Sequence, residues 1–82
     1  MDKGWNRVDK SRADIVAEMV ANVLTVVVAP GERVEVGDIV VLLESMKMEI
    51  PVLAEVPGTV AAVKVVEGDV VQEGDLLVTI DL

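Results

Sequence analysis

A chain of 82 residues with fifteen acids, seven bases and a net charge of −8 is one small acidic domain, which argues against nucleic acid and anionic membrane as partners. It has no cysteine and no histidine, so disulfide staples, thiolate metal sites and imidazole catalysis are excluded. Trp5 is its one aromatic residue, so the core has to be aliphatic. Nineteen valines between Ala13 and Leu82 supply it, and valine is stiff at χ1 and favours strands.

The first twelve residues, MDKGWNRVDKSR, carry four bases against two acids, whereas residues 13–82 carry three bases against thirteen acids. The opening stretch shows no apolar period. It is expected to be a flexible leader or tag, with Trp5 an exposed tail aromatic and the folded domain spanning 13–82. No apolar h-region is present, so no signal peptide is expected, and the lack of cysteine fits a cytoplasmic location. Apolar runs such as 26–29 and 39–43 fall well short of the roughly 20 residues a membrane span needs.

From Ala17 onward the chain repeats itself at a shift of 37. Residues 17–44 match 54–81 at ten of 28 positions, among them Gly31/Gly68, Val34/Val71, Gly37/Gly74 and Asp38/Asp75. Each half carries the same punctuation, G-[ED]-x-V-x-x-G-D. Glycine supplies positive φ at little steric cost, so each of the four glycines predicts a tight turn. The β-branched runs between them predict strands at 15–20, 22–29, 33–35 and 39–45, then at 48–56, 59–66, 70–72 and 76–81. Eight short strands in two similar halves make an all-β sandwich or flattened barrel. Parity supports part of this: Ile50, Val52, Ala54 and Val56 share one face, with Glu49 and Glu55 on the other, whereas the run 39–43 is apolar on both.

The two halves meet at "LLESMKMEI". If strands 39–45 and 48–56 are neighbours, Met46-Lys47 is a hairpin tip and Glu44 faces Glu49. Local propensity favours a helix here, and Met-Lys suits a two-residue turn poorly, because both central residues need positive φ. Opposed glutamates are a second conflict at the same spot. The bland alternative is a solvated lysine between two methionines that cover the barrel end. The position at the joint, the broken turn preference and two adaptable methionine side chains favour a recognition site instead. Glu44 and Glu49 as a catalytic or metal-binding pair are disfavoured, because they would lie on a convex tip.

The segment ESMKMEI resembles the attachment motif of biotinyl domains, in which a lysine within Met-Lys-Met carries biotin. The resemblance extends through GTVAAVKVVEGDVVQEGDLLVTI and covers roughly 13–82, closest to small free-standing bacterial biotin carboxyl carrier proteins. It implies a barrel-sandwich hybrid of two four-stranded sheets with an internal pseudo-two-fold. Lys47 would be the site of covalent biotin attachment, with Met46, Met48 and Glu44 read by a biotin protein ligase. The chain would be a non-catalytic carrier, itself monomeric. It would take CO2 from a biotin carboxylase to a carboxyltransferase, most plausibly for an acyl-CoA. A lipoyl carrier and an unmodified barrel-sandwich adaptor are the rival readings; the flanking methionines speak against the first and the motif against the second. Two departures stand out. Many relatives have Pro-Gly near the start of the second strand, where this chain has Ala21-Asn22, and Val34 to Asp38 leaves no room for the protruding thumb of some carriers.

Overall fold

The computed structural model describes residues 11–82 and contains eight strands and, among those residues, no helix. In chain order they are β1 (Arg12–Val16), β2 (Ala21–Val26), β3 (Arg33–Val34), β4 (Ile39–Ser45), β5 (Met48–Leu53), β6 (Gly58–Val63), β7 (Val70–Val71) and β8 (Leu76–Asp81). The first strand starts at Arg12 rather than 15, and several others are shorter than expected. Of the expected leader, 1–12, residues 1–10 lie outside the described residues, Trp5 and Lys10 among them.

Two antiparallel sheets form, ordered β1-β8-β6-β3 and β5-β4-β2-β7. A shift of 37 residues, forward for β1 and β3 and backward for β6 and β8, carries one sheet onto the other, so the sequence repeat is a pseudo-two-fold of the fold. Each sheet draws two strands from either half. The turns cross over as well: the Gly31 N–H donates to Val60 O at 2.8 Å, and the Gly68 N–H donates to Val23 O at 2.9 Å. Likewise Gly37 donates to Ala54 O and Gly74 to Ala17 O. Neither half contains its own complete hydrogen-bonding partners.

The four punctuation motifs are four copies of one turn, at 29–32, 35–38, 66–69 and 72–75. In each, the fourth N–H donates to the first carbonyl at 3.0–3.1 Å, and the glycine in third place has φ between 91° and 94°. That is a type II turn, which requires positive φ at its third residue. The acid in fourth place locks it. Carboxylates of Glu32, Asp38, Asp69 and Asp75 accept from the N–H of Ala29, Glu35, Val66 and Gln72 at 2.8–2.9 Å. Spacing glycine and acid together thus sets both the backbone turn and its cap.

Bulges explain why the apolar run 39–43 breaks strand parity. Val40 is the extra residue where β4 pairs with β5, and Leu77 is its twin where β8 pairs with β1. A bulge lets two successive side chains face inward, and Val40 with Val41, and Leu77 with Val78, are all completely buried. A second twin pair, Leu24 and Ala61, bulges β2 and β6. Val23, Val34, Leu43, Val60, Val71 and Ile80 complete the aliphatic core from both sheets.

The twins also move by one residue the place where relatives have Pro-Gly in the first half, expected at Ala21-Asn22. Gly58 pairs with Val34, and Ala21 pairs with Val71, so the counterpart of Pro57-Gly58 is Val20-Ala21. Gly58 is there for space. A Cβ at this position would run into the Asp81 carbonyl oxygen and come within 2.6 Å of Ile80 Cγ2.

Candidate functional site

Between Ser45, the last residue of β4, and Met48, the first of β5, only Met46 and Lys47 remain to turn the chain. Ser45 faces Met48, Glu44 faces Glu49 and Leu43 faces Ile50. The type I′ two-residue hairpin loop matches the twist of its strands with positive φ at both central residues, hence the usual Asn-Gly. Here Met46 adopts φ 53° and Lys47 φ 66°, and among the described residues they are the only non-glycines with positive φ. For residues that carry a Cβ this costs on the order of 1–2 kcal/mol each. The β4–β5 ladder, buried at Val40, Val41 and Leu43, holds the tip in that conformation.

The tip is open to solvent. Met46 is 87% exposed, Met48 is 60% exposed and Lys47 is exposed between them. Among the described residues the Lys47 ammonium makes no ion pair and no side-chain hydrogen bond. The amine therefore has no bond to another described residue to break when it reacts. The two thioethers give it an apolar, polarizable collar.

One step below the tip, Glu44 and Glu49 stand directly opposite. Pairs alternate between hydrogen-bonded and non-hydrogen-bonded along an antiparallel ladder, and the Ser45/Met48 pair closes the turn. Glu44/Glu49 is then the non-hydrogen-bonded kind, in which side chains lie closer. Two like charges so placed weaken the ladder locally and mark one face of the hairpin as acidic. The expected residues Lys47, Met46, Met48 and Glu44 are all brought to one end of the barrel, and Ser45, half-buried, completes the pairing beneath the turn. Lys64, the other lysine among the described residues, lies one residue past β6, with its N–H donating to Leu77 O at 2.8 Å. The sequence reading overlooked Pro51, which sits inside β5; a proline within a strand run is the signal that it lies on a sheet edge.

The sequence and the interleaved two-fold sandwich have counterparts among known proteins. The family described as biotin-requiring enzyme matches residues 9–80. The chain belongs to this family. Within it, biotinylated protein TB7.3 of Mycobacterium tuberculosis is 68% identical over 40 residues, a stretch that covers 49% of this chain and 56% of the relative. The TB7.3 homolog of Mycobacterium leprae is 65% identical over the same length. The match thus spans about half the length of these curated relatives.

Solved structures extend the likeness to nearly the whole chain. A single-chain, multi-domain long-chain acyl-CoA carboxylase superposes with a TM-score of 0.82 at 27% identity, over 92% of this chain and 7% of that one. The urea carboxylase of Kluyveromyces lactis gives 0.81 at 32% identity, over 95% and 7%. The lipoyl domain of the 2-oxoglutarate dehydrogenase complex of Azotobacter vinelandii gives 0.68 at 30% identity, over 83% and 96%. The same fold thus recurs in part of two large carboxylases and in a lipoyl domain. The residues at the tip fit a covalently attached cofactor, because a primary amine stands exposed on a two-residue turn and, among the described residues, makes no hydrogen bond or ion pair.

Proposed function

We propose that this chain is a biotin carrier and that Lys47 is its point of attachment. The observation that carries the reading is the tip itself: the fold tolerates left-handed backbone at two residues with side chains in order to place Met-Lys-Met at its outermost point. Strain kept at one exposed position is expected where function demands it.

Attachment is nucleophilic acyl transfer. The neutral Lys47 Nζ attacks the activated biotin carboxyl, the new amide N–C bond forms as the bond to the activating group breaks, and the amine gives up its proton. The amide removes the lysine charge, which takes the chain from −8 to −9. Once bound, biotin supplies a ring able to accept and hand on CO2, and the protein supplies orientation and reach. The four-carbon lysine stem is a flexible tether on a backbone that does not swing with it. Met46 and Met48 offer a biotin protein ligase an apolar grip on either side of the amine, and Glu44 offers a charged contact below it.

The partners we infer are that ligase, a biotin carboxylase and a carboxyltransferase, in the cytoplasm, with the carrier itself a monomer that does no chemistry of its own. We take the acceptor to be an acyl-CoA, as in the long-chain acyl-CoA carboxylase. The urea carboxylase, equally similar, makes acceptor identity the point for assay. The lipoyl reading draws support from the Azotobacter vinelandii domain, almost all of which this chain covers.

One experiment addresses all of this at the tip. Intact mass is measured after co-expression with a biotin protein ligase, and separately with a lipoate ligase. We expect the mass of one biotinyl group, lost in Lys47→Arg and kept in Lys64→Arg. A lipoyl adduct without a biotinyl one would overturn the assignment.

A further inference from the structure

The two sheets have four outer edges, and these are not alike. β3 and β7 are only two residues long, which blunts two of them. The other two, β1 and β5, are twins under the pseudo-two-fold.

The Leu82 N–H donates to Ser11 O, which makes Arg12/Asp81 a non-hydrogen-bonded pair; Ala13 and Ile15 therefore turn their backbone groups toward β8. Arg12, Asp14 and Val16 direct theirs outward. On β5 the outward positions are the twins Glu49, Pro51 and Leu53. Proline has no N–H, so β5 has lost the central donor of its edge, the usual guard against strand addition. At the twin position β1 has Asp14, whose N–H remains. Among the described residues β1 is thus the one edge of ordinary length that keeps every outward N–H.

That edge borders a groove of about 370 Å3 between the two sheets. Its lining is symmetric about the pseudo-two-fold, with 13–16 facing their twins 50–53. Ile15, Ile50 and Val52 form an apolar floor, half-buried. Asp14, Glu18 and Glu55 stand exposed on its rim, and among the described residues no cation lines it. The size lies within the range of ligand clefts, about 300–1,000 Å3.

We propose that β1 accepts an additional strand: an extended segment of a partner protein in which apolar and basic side chains alternate. Its backbone pairs with the outward groups of Arg12, Asp14 and Val16. Its apolar side chains enter the groove on one face, and its lysines or arginines meet the acidic rim. Strand addition takes affinity from main-chain hydrogen bonds and specificity from alternate side chains. The surface is separate from the Lys47 tip, so the segment binds whether or not Lys47 is modified.

The test is a titration of the full 15N-labelled chain with a blocked peptide, Val-Lys-Val-Arg-Val-Lys-Val, and with its counterpart carrying glutamate in place of each base. The basic peptide should shift the amides of β1 and of the groove and slow hydrogen exchange at the Asp14 amide at least tenfold; the acidic one should do neither. Asp14→Pro, which copies the twin Pro51, should weaken binding at least tenfold, and Glu18→Lys with Glu55→Lys should weaken it at low salt. Should Asp14→Pro fail to fold, exchange at Asp14 in the parent still decides. The proposal falls if the basic peptide does not bind at millimolar concentration, if the acidic one binds equally, if the shifts map to β5 or the Lys47 hairpin, or if Asp14→Pro binds as the parent does. It also falls if the Asp14 amide is protected before peptide is added, whether through a second copy or through residues 1–10.

Discussion

The two halves of the chain are the same object solved twice, and the positions where the solutions diverge separate architecture from function. All four glycine turns are alike in φ, in their closing hydrogen bond and in the acid that caps them. Both pairs of bulges fall on twin residues. Divergence appears at Gly58 against Ala21, at Pro51 against Asp14, and in sequence at Met46-Lys47, whose counterparts Asp9-Lys10 lie outside the described residues. The first is packing, the second an edge, the third a site. Shared features hold the barrel together; a feature present once needs a cause outside the repeat.

The strongest way to break this comparison is to move the amine by one residue. The double change Met46→Lys with Lys47→Met keeps composition, charge and apolar content. Surface swaps usually alter stability by only about 0.5 kcal/mol, so the chain should fold. The amine would start from a different direction, and misplacement of ~1 Å can cost about a hundredfold in rate. Ligase labelling should slow at least tenfold. Labelling at the parent rate would show that the ligase reads local sequence and that the tip's fixed direction is irrelevant.

Next in size is Gly58→Ala, which overpacks against the Asp81 backbone and Ile80. It should destabilise by about 1–3 kcal/mol in a urea melt, although the twin position already holds a methyl in Ala21. An unchanged midpoint would show that β6 relaxes freely and that this divergence is accidental. Gly37→Ala and Gly74→Ala should each cost about 1–2 kcal/mol, and the same amount, since both glycines have positive φ and open space where a Cβ would go. Unequal costs would show that the halves are not energetic twins. The smallest effect is at the tip: Met46→Asn should raise stability by about 0.5–1 kcal/mol, because asparagine tolerates left-handed backbone. It should also slow ligase labelling. A loss of stability would remove the case for strain at Met46.

Much of this was legible because the repeat encodes it. Gly31, Gly37, Gly68 and Gly74 announce positive φ, and their spacing to Glu32, Asp38, Asp69 and Asp75 announces a recurring device. Lys47 stood out because Met-Lys is wrong for the turn the flanking strands impose. The bulges at Val40 and Leu77 were hidden, since consecutive aliphatic residues look the same in a two-sided strand and in a bulged one. The early start of β1 was hidden because Arg12 is held by pairing with Asp81, sixty-nine residues away, and by a 3.3 Å ion pair to its carboxylate. The place of the first-half Pro-Gly was read one residue late, at Ala21-Asn22; the 37-residue shift itself puts Val20-Ala21 against Pro57-Gly58, and the register across β2 and β7 agrees. Long-range pairing leaves no trace in local propensity.

The crossing of the turns bears on how such a chain is made. Gly31 closes on Val60, Gly68 on Val23, and β1 on β8. A growing chain therefore cannot complete its first half and set it aside while the second is synthesised. The local β4–β5 hairpin is available early, but the sheet around it needs β7, and the opposite sheet needs the final strand. Contacts so distant in sequence make folding slow for the size of the domain, in the millisecond-to-second range typical of non-local β topologies. Stopped-flow refolding would give that rate directly. Until β8 leaves the ribosome, the lysine is present as sequence but not yet as a presented amine, and a ligase that reads the folded tip would act only after β8 has joined its sheet.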